Sequence, residues 1–134
     1  MGYYRDLRLF ISMIKLKQLL EDIKVTNKDN DTMGVDILDQ SKKKVGHFDL
    51  ETYDNGKVWT IIGAEIDPTH RGKGYYHTAI LQLLDKYPTI TIVSAFRSAE
   101  ADKAWASLKN KIGSKYNLHT KKEDGEIVYY LSKK

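Results

Sequence analysis

At 134 residues the chain has the length of one domain and can bury a core without covalent staples. It carries 22 Lys+Arg against 18 Asp+Glu, a formal +4, with 41% hydrophobic and 30% charged residues, a balance that excludes disorder as the default. The absence of cysteine excludes a disulfide scaffold, a thiolate nucleophile and any Cys-held zinc or iron–sulfur site.

Charges at Arg5, Asp6, Arg8, Lys15 and Lys17 interrupt the first twenty residues. The longest uncharged run, from Leu9 to Ile14, is too short for an export signal or a membrane span. A cytoplasmic protein with no membrane partner is the expectation. Residues 4–24 read as helical, with Leu7, Phe10, Ile11 and Ile14 on one face. Leu16, Leu19, Leu20 and Ile23 continue on a shifted stripe. Residues 27–31 carry turn chemistry. Val35–Leu38 reads as a short strand, Gln40–Lys44 as a polar turn, and Val45–Thr52 as an alternating second strand. Asn55-Gly56 is a tight-hairpin signal. Val58–Ile66 is almost continuously apolar, which predicts a central strand covered on both faces.

A loop then leads into a helix with Ala79, Ile80, Leu83 and Leu84 on one side, ending near Tyr87-Pro88. Thr89–Phe96 is rich in β-branched residues and predicts a strand. Ser98 is a good N-cap for a helix over Ala99–Ile112, with Ala101, Ala104, Trp105 and Leu108 on one stripe. Leu118–Lys122 and Ile127–Leu131 form a hairpin around Gly125. The strand–helix–strand unit over 58–96 requires a parallel pair, and the remaining hairpins make the rest antiparallel. The fold class is therefore α/β, a mixed sheet flanked by helices in a single domain over 1–134.

All the net charge lies in the C-terminal third. Residues 101–134 hold 8 Lys against 4 acidic residues, while residues 1–100 balance at 14 against 14. A nucleic-acid partner could use that region, but a solvated face explains it more simply, because no aromatic–basic interleaving accompanies it.

The chemistry lies in Arg71-Gly72-Lys73-Gly74-Tyr75-Tyr76. A glycine-rich turn between a strand and a helix exposes backbone N–H groups at the positive end of the helix dipole, an anion site suited to phosphate. It is neither a Walker loop nor the dinucleotide fingerprint, since Tyr75, Tyr76 and His77 follow Gly74. With four histidines and no H-x-x-x-H pair, no metal is expected.

With its preceding residues, Ile66-Asp-Pro-Thr-His-Arg-Gly-Lys-Gly74 resembles the signature of the GNAT superfamily of acyl-coenzyme A dependent N-acetyltransferases. That loop reads Arg/Gln-x-x-Gly-x-Gly/Ala after Val-x-Pro. Arg71 and Gly74 match its first and fourth positions, and Ile66 and Pro68 stand in the Val and Pro places. The order of elements from Val35 to Leu131 is similar too, although the family's first strand is not evident. The resemblance implies a mostly antiparallel GNAT-like sheet whose central parallel pair splays around the cofactor.

It implies acetyl-coenzyme A as acyl donor and an amine acceptor that the sequence does not identify. The pyrophosphate would be held by the backbone of Arg71, Gly72, Lys73, Gly74, Tyr75 and Tyr76, and the pantetheine arm would pair near Ala64–Ile66. Gly63 is the expected strand bulge. Three positions depart from the pattern. Tyr76 stands where the loop has Gly or Ala. Ser98, Ala101 and Trp105 stand at the Asn, Ala and Tyr places of Asn-x-x-Ala-x-x-x-Tyr, where that Asn place adds Ser98 to the cofactor contacts. Indole has no useful acidity, so Trp105 reads as core packing rather than as the family's general acid. Glu65, beside the expected thioester, is the candidate base if desolvated, and equally a paired strand-end carboxylate. His47, Asp49 and Glu51 are weaker candidates. An active acyltransferase and an inactive GNAT-fold module binding protein or nucleic acid both fit these residues.

Overall fold

The computed structural model describes residues 22–95 and 99–134. Its elements are β1 (Asp22–Lys28), β2 (Thr32–Leu38), β3 (Lys44–Thr52), β4 (Val58–Ile66), α1 (Tyr75–Lys86), β5 (Thr91–Ser94), α2 (Ala99–Lys111), β6 (Tyr116–Glu123) and β7 (Glu126–Lys133). The strands form one sheet in the order β1-β2-β3-β4-β5-β7-β6. Every neighbouring pair is antiparallel except β4 with β5. This is the mixed sheet that the strand–helix–strand pattern predicts.

The first strand, not evident in the sequence, is β1. Residues 22–24, predicted as the end of a helix, belong to it, and Asn27 and Lys28 are strand rather than turn. Residues 4–21 of that predicted helix lie outside the described residues. Ile23 and Val25 alternate as a strand requires, but Ile23 also continues the helical spacing of the preceding leucines, and a bulge between Val25 and Asn27 breaks the pattern. The turn itself is narrower. Asp29 Oδ1 accepts from the Asp31 and Thr32 amides, at 2.8 Å each. Of the strand predicted over Thr89–Phe96, Thr91–Ser94 is strand, and Phe96 lies outside the described residues.

Cross-strand rows carry the core on one face. Thr52, Trp59, Ile92 and Leu131 lie side by side, and so do Leu50, Ile61, Ser94 and Tyr129. All eight are buried. Both helices close this face. α1 contributes Tyr75, Ala79, Ile80, Leu83 and Leu84, and α2 contributes Trp105 and Leu108. Asp85, near the end of α1, accepts hydrogen bonds from Tyr116 Oη at 2.8 Å and Lys133 Nζ at 2.9 Å, which ties the helix to the far sheet edge. The opposite face carries the row Asp36, His47, Glu65, which is half-buried or exposed.

Candidate cofactor-binding site

The site begins where two strands part. β4 pairs with β3 as far as Ile66, opposite Gly46, but with β5 only over Val58–Ile61. Past Ile61, among the described residues, no strand borders that edge of β4. The backbone of Gly63–Ile66 therefore faces a fork. Asp49 lies opposite Gly63 while Leu50 lies opposite Ile61, so the extra residue of the bulge is Ile62, one position before the expected Gly63. Beyond the bulge β4 is exposed, with Ile62 57% accessible. This corrects the expectation of a strand covered on both faces. Only its first half is buried, because the fork leaves the second half without a neighbouring strand.

A 3-10 turn, Pro68–His70, leads from β4 to the glycine loop. Arg71 is extended, and its Nε donates to the Ile66 carbonyl at 3.0 Å, closing the loop onto the strand end. Gly72 and Gly74 take φ of 75° and 86°, which L side chains rarely adopt. A Cβ added at Gly72 meets no atom within 4 Å, and one at Gly74 comes 3.2 Å from His77 Nε2. Gly74 caps α1 and supplies no side-chain hydrogen bond. The first-turn amides are thus presented without a capping side chain, and the loop has the form of an anion-binding nest.

Neither tyrosine fills that nest. Tyr75 is buried, with its ring edge-on to His70 at 5.6 Å. The half-buried Tyr76 turns into the body of the protein. Its ring meets Phe48 at 6.5 Å, and its Oη accepts the Trp105 Nε1–H at 3.2 Å. Trp105 is 1% exposed and stacks on Tyr129 at 5.4 Å, so it packs in the core as its sequence position suggested. Two of the departures from the family pattern, Tyr76 and Trp105, are in direct contact.

Glu65 is exposed, without the burial that a base at this position was expected to have, and its side chain makes no hydrogen bond or ion pair among the described residues. Its cross-strand neighbour is His47. His47 Nδ1 lies 2.6 Å from Asp36 Oδ1, and Nε2 lies 2.8 Å from Asp49 Oδ1. Two carboxylates facing both ring nitrogens require a doubly protonated ring. Burial pulls the His47 pKa down, but the hydrogen bonds to Asp36 and Asp49 outweigh it, and the net shift is upward from 6.5. Burial likewise pushes Asp36 up, and the hydrogen bonds from His47 and Lys44 outweigh it, holding it below 3.8. The link between His47 and Asp49 is foreshadowed by their i, i+2 spacing; the partnership with Asp36 needs the sheet register.

The shifts fix the sign of a pH effect. A raised His47 pKa contributes stability below pH 6.5 that is lost as pH rises through the folded value. Asp36 contributes above 3.8 and is lost in acid. His47→Gln should therefore flatten the fall in melting temperature as pH rises above 6.5. Parallel melting curves for parent and variant across that limb would contradict the cluster.

No family model matches the chain, and no curated protein does. Solved structures match it at probability 1.00. A spermidine N-acetyltransferase SpeG chimera from Vibrio cholerae and hSSAT superposes with a TM-score of 0.53 at 23% identity, over 77% of this chain and 66% of that one. A Klebsiella pneumoniae protein assigned as an acyl-CoA N-acyltransferase superposes at 0.54 with 16% identity, over 96% and 85%. The chain has the GNAT fold. It spans about two thirds of the length of the spermidine N-acetyltransferases it matches. In this GNAT frame the fork brings Ala64, Glu65 and Ile66 to one strand edge, and the nest gathers Arg71 to Tyr76 at the start of α1. Ser98, the remaining candidate contact, lies outside the described residues. Among the described residues no side-chain group is arranged to hold a metal ion, and no helix is long and apolar enough to cross a membrane.

Proposed function

We propose that the chain is an N-acetyltransferase that moves an acetyl group from acetyl-coenzyme A to an amine. The observation that carries this reading is the fork: β4 leaves β5 after Ile61, beside a glycine nest whose N-cap residue, Gly74, has no capping side chain. The residues fit the donor. The amides from Gly72 to Tyr76 would hold the pyrophosphate, with Arg71 and Lys73 adding positive charge. The backbone of Ala64–Ile66 offers N–H and C=O groups to the pantetheine amides. Bound there, acetyl-coenzyme A supplies an activated acyl thioester.

This chain's own residues do the rest. The free edge of β4 orients the donor and offers N–H groups to a developing oxyanion. Glu65 takes the proton that the amine loses, directly or through water. The sheet face around it bears Asp36 and Asp49, which His47 engages, and Glu51 and Glu65, whose carboxylates suit a positively charged amine. The spermidine specificity in the names of the matched structures is of the same charge class. Tyr76 turned away from the nest weighs against an inactive module with a blocked phosphate site.

Thiol release from acetyl-coenzyme A over a panel of amines tests the reading. Amine-dependent release supports it; binding of coenzyme A with no release for any amine favours the inactive module. Gly74→Val should weaken coenzyme A binding at least tenfold, since φ of 86° is strained for valine and its side chain meets His77. Unchanged affinity in calorimetry would remove the nest from the site.

A further inference from the structure

We propose that the outer hairpin, β6 with β7, is a stacking platform for single-stranded nucleic acid, an interaction separate from acyl transfer and independent of it. His119 on β6 lies opposite Tyr130 on β7, and their rings stack 5.1 Å apart at an interplanar angle of 4°. The Lys121 ammonium, two residues further along β6, lies 5.0 Å from the Tyr130 ring. Two residues further again, the Glu123 carboxylate accepts the Tyr130 Oη–H at 2.8 Å. The Tyr130 ring is thus held at its tip and across its face before any ligand arrives.

The platform has an open side. β6 is last in the strand order, so no strand flanks its outer edge among the described residues. His119 is exposed and makes no hydrogen bond or ion pair among the described residues. The ring pair also faces away from the helices. Tyr130 lies in one row with Val93 and Thr60, while the adjacent row of Tyr129, Ser94 and Ile61 faces the core, where Trp105 stacks on Tyr129. A ring stacked on one side and otherwise exposed can take an unpaired base as the next member of the stack, because every base has a π-face. Paired bases are already stacked inside their duplex, so the platform suits single strands.

Charge points to the same partner. Residues 101–134 hold 8 Lys against 4 acidic residues, and Glu123, one of those four, is engaged by Tyr130. Lys121 and Lys122 are exposed at this end of the hairpin and form no ion pair among the described residues. They are placed to meet the phosphates of a nucleotide chain whose base lies on His119. Across the same sheet face, Asp36, Asp49 and Glu65 sit on β2, β3 and β4, with β5 and β7 between them and β6. The face is therefore polarised, and a polyanion is steered to its β6 edge.

The experiment is fluorescence anisotropy of the 134-residue chain with a labelled single-stranded oligonucleotide of about ten nucleotides, at about 50 and about 200 mM salt. Saturable binding that weakens at the higher salt is expected. His119→Ala should weaken it about fivefold or more, the share of one stacked base. His119→Phe keeps a ring and should keep the affinity. Lys121→Ala should weaken binding and flatten its salt dependence. His119 is exposed, so each of its variants should keep the parent melting temperature. No binding at about 100 µM protein would overturn the proposal. So would parent affinity in His119→Ala. Equally tight binding of the duplex, or of a sulfated polysaccharide that has charge and no bases, would reduce the surface to charge alone and overturn the stacking. Displacement of the oligonucleotide by saturating coenzyme A would place it at the Arg71–Tyr76 loop and overturn the proposal as well.

Discussion

Glu65→Gln is expected to lower amine-dependent turnover by ~10²–10⁴-fold and to leave coenzyme A affinity unchanged, the size of effect ascribed to a positioned base. Gln keeps the shape and removes the only proton acceptor the side chain has. Glu65 makes no ion pair or side-chain hydrogen bond among the described residues, so its loss breaks no structural contact there, and the melting temperature should hold. The prediction is therefore specific to kcat. Equal turnover for parent and Glu65→Gln would move proton removal to another group or to bulk water. The neighbouring His47 is poorly suited to the role, because Asp36 and Asp49 engage both its nitrogens.

The largest loss of stability is expected from Trp105→Ala. Trp105 is 1% exposed, stacks on Tyr129 and donates to Tyr76 Oη. Removing a buried Trp side chain costs about 3–5 kcal/mol through lost transfer energy and an unfilled cavity. For a chain of this length that corresponds to a fall in melting temperature of roughly 10–20 °C. Trp105→Phe keeps a ring on Tyr129 and loses the N–H donor, so it should cost more modestly, about 1 kcal/mol beyond the smaller ring. Chemical denaturation of both variants separates packing from hydrogen bonding. A Trp105→Ala loss under 1 kcal/mol would mean that the indole is not in the core.

The parts of this fold that were legible in the sequence are those with local signals. Asn55-Gly56, the apolar stripe of α1 and the Gly72-Gly74 turn each carry their own chemistry, and the structure has the corresponding hairpin, helix and nest. β1 was hidden because Ile23 continues the helical spacing of Leu16, Leu19 and Leu20, and its bulge breaks the alternation. The uncovered half of β4 was hidden because apolar content does not report where a neighbouring strand stops. At the site, position within the motif singled out Tyr76 and Trp105 separately, and only tertiary packing joins them. The same holds for the basic C-terminal hairpin. Register stacks His119 on Tyr130 and brings Lys121 Nζ 5.0 Å from the same ring, an aromatic–basic cluster with no linear signature.

The most direct test of the central claim is a titration of the purified chain with coenzyme A, read by calorimetry and by thermal shift. The nest and the fork are present in the folded state alone, so binding must raise the melting temperature. Ligand at 100 times its dissociation constant adds about 2.7 kcal/mol, a shift of several degrees. A saturable heat together with that shift is the predicted result. No heat and no shift at millimolar coenzyme A would contradict the assignment of the fork and the Arg71–Tyr76 loop as an acyl-donor site.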